Sequence, residues 1–78
     1  MKLIILNLPR DFTEKELAIL FKSHGDIKKC TLVMDSKTKK SKGFGFVEMA
    51  LEHKAVSAIE KLNNSLIGTK KIRVKSAD

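Results

Sequence analysis

Lys42-Gly43-Phe44-Gly45-Phe46-Val47-Glu48-Met49 is the stretch on which the fold of this chain turns. From Phe44 onward it alternates with period two. Phe44, Phe46 and Glu48 point to one face of a strand, and Gly45, Val47 and Met49 to the other. A strand that buries Val47 and Met49 must carry two phenyl rings on its opposite face. The two glycines beside them leave room for a neighbour to approach the backbone. Lys37, Lys39, Lys40 and Lys42 lead directly into this strand. Rings that stack beside cations that pair with phosphates are the parts of a platform for single-stranded nucleic acid. An edge strand whose rings serve only packing is the competing reading.

The rest of the composition agrees with a small folded unit. A length of 78 residues bounds the chain to one domain, residues 1–78, with a modest core. Hydrophobic content of 42% argues against disorder, and 32% charged residues argue for a well-solvated surface. The net charge of +7 is unevenly spread. Residues 36–47 hold four lysines and no acid, and Lys61, Lys70, Lys71, Arg73 and Lys75 follow in an acid-free segment from 61 to 77. By contrast, Asp11, Glu14, Glu16 and Asp26 outnumber Lys15 and Lys22 between 11 and 26. Cations gathered in particular segments favour a polyanionic partner. A lone cysteine, Cys30, excludes an internal disulfide and suggests a reducing compartment, cytoplasmic or, in a eukaryote, nuclear. No metal or cofactor constellation is present. The apolar run Leu3 to Leu6 is too short for a signal peptide or a membrane span.

Outward from the central strand, the elements read in order. Lys2 to Leu8 is apolar enough for a buried strand that Pro9 stops, with Leu3 and Ile5 inward and Ile4 and Leu6 on the side of the rings. Thr13 and Glu16 form a capping-box pair, and Phe12 with Leu17 a hydrophobic staple. Leu17, Leu20, Phe21 and His24 then follow one helical stripe up to Gly25, expected as a left-handed cap. Both His24 and His53 read as structural or solvent-facing, not catalytic. Ile27 to Met34 reads as a strand with Cys30, Leu32 and Met34 inward and Lys29, Thr31 and Val33 outward. A polar loop, Asp35 to Ser41, returns the chain to the Phe44 strand. Ala55, Ala58, Ile59 and Leu62 mark a second helix whose start at Leu51 lacks a side-chain cap. Asn63 and Asn64 suit its left-handed end. After a turn at Gly68-Thr69, Lys71 to Lys75 alternates, with Ile72 and Val74 inward and Lys71, Arg73 and Lys75 outward.

Strand, helix, strand, strand, helix, strand is the ferredoxin-like β-α-β-β-α-β order of an α+β fold. Right-handed crossovers place both helices on one face of a four-stranded antiparallel sheet in spatial order 4-1-3-2. The opening octapeptide resembles the K/R-G-F/Y-G/A-F-V-x-F/Y signature of the RNA recognition motif family at every position but the last, where Met49 replaces an aromatic. Leu3-Ile4-Ile5-Leu6-Asn7-Leu8 resembles the family's second signature. There Ile4 stands where a stacking aromatic is usual, and Leu6 where a small residue is common. The resemblance covers essentially the whole chain.

The outward residues collect into one surface. Ile4, Leu6, Val33, Phe44 and Phe46 form its centre, Lys29, Thr31, Lys71, Arg73 and Lys75 border it, and Lys39, Lys40 and Lys42 overhang one end. Single-stranded RNA fits such a face, and single-stranded DNA shares most of the required chemistry. The resemblance implies that Phe44 and Phe46 stack on bases or ribose, that Lys42 contacts the backbone, and that the last strand helps read bases. The alternative is a protein-interaction or homodimerisation module using the same apolar patch. No nucleophile, base and orienter come together in the sequence, and Gly43-Phe44-Gly45 lacks the third glycine and helix of a dinucleotide loop. An enzyme is not expected.

Overall fold

The computed structural model describes residues 1–78. In chain order it contains β1 (Lys2–Leu6), α1 (Glu14–Lys22), β2 (Ile27–Met34), β3 (Ser41–Met49) and α2 (Glu52–Leu62). A small hairpin, β4 (Leu66–Ile67) and β5 (Lys70–Lys71), precedes β6 (Arg73–Ser76). The main sheet is antiparallel in the order β2-β3-β1-β6, and β4 pairs only with β5. With β6 as the fourth main strand, this is the expected ferredoxin-like arrangement. None of its helices is long and apolar enough to cross a membrane.

Period-two alternation in the strands and helical spacing in α1 and α2 converge on one core. Leu3 and Ile5 of β1, Val47 and Met49 of β3, Leu32 of β2 and Val74 of β6 face Leu17 and Phe21 of α1 and Ala55, Ala58 and Leu62 of α2. The alanines let α2 lie close to the sheet. Phe21 is wholly buried, so removing its ring should cost about 3–5 kcal/mol. Helix α1 starts on the capping box: the Glu16 amide donates to Thr13 Oγ1 at 3.1 Å, and the Thr13 amide donates to Glu16 Oε1 at 3.0 Å. Helix α2 has Leu51 at its N-cap and no side-chain cap, so its buried stripe must hold it in place.

Several local details depart from the periodic reading. β1 ends at Leu6, because Asn7 adopts φ 62° and turns the chain. Leu8 is thereby carried into the core, and its amide donates to the Gly43 carbonyl at 2.8 Å. Gly25 is not a left-handed cap, since its φ is 153°. Glycine is required on two counts, because side-chain-bearing residues rarely adopt that positive φ and because a Cβ there would lie 2.8 Å from the Lys54 Cβ. Asn64 takes the left-handed turn after α2 with φ 68°. Asn63 stays extended and accepts the Val74 amide at 3.0 Å on its side-chain oxygen.

The run from Lys71 to Lys75 is not one strand. Gly68, at φ 61°, turns Lys70–Lys71 back onto Leu66–Ile67, and pairing with β1 begins only at Arg73. Met34 keeps its inward phase but is 49% exposed. Leu32 pairs with Gly45 and Met34 with Ser41, so β3 uses four residues where β2 uses two, and the register slip carries Met34 off the core.

Both free edges of the sheet are plugged by a side chain. On β2 the Leu32 amide donates to Glu14 Oε2 at 3.1 Å, and on β6 the Val74 amide donates to Asn63. Edge amides left open are templates for another strand.

Candidate nucleic-acid interface

The face opposite the helices is an ordered lattice of side chains. Met1 and Met49 exchange both backbone hydrogen bonds, at 3.0 and 3.2 Å. By alternation, the pairs Lys2/Glu48, Ile4/Phe46 and Leu6/Phe44 are the non-hydrogen-bonded ones, whose side chains lie closest. Across β3, Thr31 stands opposite Phe46 and Lys29 opposite Glu48. Across β1, Lys75 stands opposite Ile4 and Arg73 opposite Leu6. Three rows therefore cross the sheet: Lys29–Glu48–Lys2, then Thr31–Phe46–Ile4–Lys75, then Phe44–Leu6–Arg73.

The rings are held in defined positions. Phe44 and Phe46 meet edge to face, with centroids 6.2 Å apart and planes at 83°, a geometry that satisfies both ring quadrupoles. The Lys2 ammonium lies 4.9 Å from the Phe46 centroid, over the ring. An exposed cation–π contact of this kind is worth about 0.5–1 kcal/mol, little enough for an incoming base to displace.

Two clefts flank the rings. A cleft of ≈ 290 Å³ beyond Phe44 and Leu6 gathers Arg10, Lys42 and Lys70 and is lined by no acid. Gly43 serves there through its backbone, at φ 88°, since a Cβ on it would make only ordinary contacts, 3.4 Å from the Leu8 carbonyl oxygen and 3.6 Å from Arg10 Nε. At the other end, Lys2, Lys29, Thr31, Phe46 and Glu48 line a cleft of ≈ 280 Å³. A larger concavity of ≈ 690 Å³ lies between Pro9–Phe12 and the Gly68 hairpin. It mixes Asp11 and Glu16 with Arg10 and Lys70 and contains neither platform ring.

The structure thus brings Ile4, Lys29, Thr31, Lys42, Phe44, Phe46, Arg73 and Lys75 onto or beside one face. Lys39 and Lys40 instead share a cleft with Arg10, Asp11 and Glu14 near the start of α1. Lys71 belongs to the hairpin, where its carbonyl accepts the Asn7 side-chain amide at 2.9 Å. That bond gives Asn7 a structural role. The periodic reading missed Lys2, Arg10 and Lys70. Lys2 was legible, since it shares the phase of Ile4 and Leu6. Arg10 and Lys70 were not, because the turn at Asn7 and the β4–β5 hairpin bring them to the sheet end.

Electrostatics near the site are simple. Asp35 Oδ1 accepts the Lys37 and Thr38 amides at 2.8 and 3.1 Å. Those backbone donors, Thr38 foremost, hold its carboxyl below the usual range. The same turn sets Lys39 at φ 57°. Burial, and then the charge of Glu14, push the Cys30 thiol up. A raised thiol holds less of the nucleophilic thiolate, in keeping with a partly buried side chain packed against the core.

A sequence model of the RNA recognition motif matches residues 3–73. A Sex-lethal homolog from Chrysomya rufifacies is 40% identical over 75 residues, which are 96% of this chain and 24% of that protein. The crystal structure of an RNA binding protein, PG1, superposes with a TM-score of 0.94 at 35% identity, over 99% of this chain and 93% of that one. A Sex-lethal protein/RNA complex superposes with a TM-score of 0.94 at 36% identity, over 99% of this chain and 46% of that one. This chain spans about a quarter of the length of such curated relatives.

Proposed function

The chain belongs to the RNA recognition motif family, and on that premise we propose that it binds single-stranded RNA on the open face of its sheet. The observation that carries the proposal is the pair of edge-to-face rings in a face bordered by Lys2, Lys29, Arg73 and Lys75, with Arg10, Lys42 and Lys70 at one end. One base stacks on Phe46, displacing the Lys2 ammonium, and Phe44 supports the neighbouring base or ribose. Each base–ring stack contributes about 1–3 kcal/mol. The displaced ammonium remains within reach of a phosphate, and Arg10, Lys42 and Lys70 take the backbone where it leaves the rings. Ile4 excludes water but presents no flat ring, so stacking concentrates on β3.

Single-stranded DNA shares these contacts and should compete wherever no 2′-hydroxyl is read. A free, half-buried Cys30 suits a reducing compartment, cytoplasmic or nuclear. Homodimerisation through this face is the weaker reading, because a two-fold axis through the apolar centre would set its cationic border against itself.

Phe46→Ala and Phe44→Ala test the proposal by fluorescence anisotropy with a short RNA. Each variant should lose about 1–3 kcal/mol of affinity while keeping its far-UV spectrum. A folded Phe46→Ala protein with wild-type affinity would refute the stacking assignment.

A further inference from the structure

Glu48 is the one residue of the platform whose charge works against RNA. The lattice gives it a specific neighbourhood: Lys29 opposite on β2, Lys2 opposite on β1, and Phe46 two residues away on the same face. It is the only carboxylate lining the ≈ 280 Å³ cleft that it shares with Lys2, Lys29, Thr31 and Phe46. The other acid nearby, Asp78, accepts the Lys2 backbone amide at 3.1 Å and does not line that cleft. Lys2 directs its ammonium over the Phe46 ring. An acceptor-only carboxylate therefore stands in a concavity whose other polar side chains are two lysine ammonium groups and the Thr31 hydroxyl, beside the ring on which a base would stack.

We propose that this cleft is a base-reading subsite selective for guanine, with Glu48 as the specificity-determining residue; the inference rests on the RNA-binding reading above. A base stacked on Phe46 brings its Watson–Crick edge toward Glu48, Lys29 and Thr31. Guanine presents two adjacent donors, N1–H and the 2-amino group, which fork onto a carboxylate. Its O6 lies beside them and takes the Lys29 ammonium or the Thr31 hydroxyl. Adenine and cytosine offer one amino group to the carboxylate. Uracil offers a single N–H flanked by two carbonyls, which repel the carboxylate oxygens. A good bidentate pair discriminates by at least about fivefold and commonly tenfold or more. The bland competing role for Glu48 is to balance the two lysines across the strands.

The test uses short single-stranded RNAs identical except for one central G, A, C, U or inosine, titrated against the wild-type chain and Glu48→Gln. The wild type should prefer guanosine about tenfold over uridine, with inosine, which lacks the 2-amino group, in between. Glu48→Gln should remain folded, since Glu48 is only half-buried on the open face. It should bind the uridine RNA as well as or better than the wild type and lose most of the guanosine preference. Unchanged preference in Glu48→Gln, or equal wild-type affinity for all five RNAs, overturns the subsite while leaving RNA binding standing. Failure of every RNA to bind the wild type overturns both.

Discussion

Replacing Ile4 by phenylalanine isolates what a flat surface adds to this platform. Ile4 faces Phe46 in a close, non-hydrogen-bonded pair and has Lys75 on its other side. A ring at position 4 would therefore extend the surface of Phe46 along one row of the lattice. The isoleucine already excludes water there, so burying apolar area adds little. The gain is the aromatic contact beyond area, about 0.5–1.5 kcal/mol, which is roughly two- to twelvefold in affinity. Stability should change by less than about 1 kcal/mol, the scale of a cross-strand aromatic pair. Fluorescence anisotropy with a short RNA reads the affinity, and analytical ultracentrifugation reads the oligomeric state. Unchanged or weaker RNA binding by a folded Ile4→Phe protein would refute the stacking account. If a dimer were lost at the same time, Ile4 would be a protein contact.

Other expected outcomes follow from single features of the structure. Gly43 sits at φ 88°, so Gly43→Ala should cost about 1–2 kcal/mol of backbone strain, partly offset by roughly 0.4–1 kcal/mol from the unfolded chain. The result is a melting temperature lower by about 4–8 °C for each net kcal/mol; an unchanged one would mean that the turn relaxes freely. Asn63→Ala strands the Val74 amide and should cost about 1–3 kcal/mol in urea denaturation, with Asn63→Asp, which keeps the acceptor, recovering most of it. The lowered Asp35 carboxyl stabilises its turn fully at neutral pH, and that contribution is lost as pH falls through the lowered folded value. The protection of the Lys37 and Thr38 amides, read as exchange relative to the intrinsic rate at each pH, should therefore fall in acid, and Asp35→Asn should weaken that dependence. Removing Arg10, Lys42 and Lys70 should flatten the log–log salt dependence of RNA affinity by about 0.7 for each phosphate no longer neutralised. Replacing Lys39 and Lys40, which lie toward α1, should flatten it less.

Alternation made most of this architecture legible. Phe44, Phe46, Val47 and Met49 set the phase of β3, and the same logic assigned Ile4, Lys29, Thr31 and Lys75 to one face, because burying one side of a sheet fixes what the other side presents. The Thr13–Glu16 capping box and the uncapped Leu51 were equally readable, since both are local. What alternation hid came from backbone turns and register slips. Asn7 at φ 62° shortened β1 and brought Arg10 toward Gly43, and the β4–β5 hairpin removed Lys71 from the sheet while delivering Lys70 to its end. The placing of Asn63 on Val74 was hidden for a different reason. It joins residues eleven apart through a side chain, and no periodicity encodes such a bond.

The open-face claim is tested most directly by titrating the isotopically labelled chain with a short single-stranded RNA and following its backbone amides by NMR. The account predicts shifts concentrated on β1 and β3 at Ile4, Leu6, Phe44 and Phe46, extending to Arg10, Lys42 and Lys70, with the outer faces of α1 and α2 quiet. Shifts centred instead on the exposed helix residues Ile19 and Val56, with Phe44 and Phe46 unmoved, would contradict it.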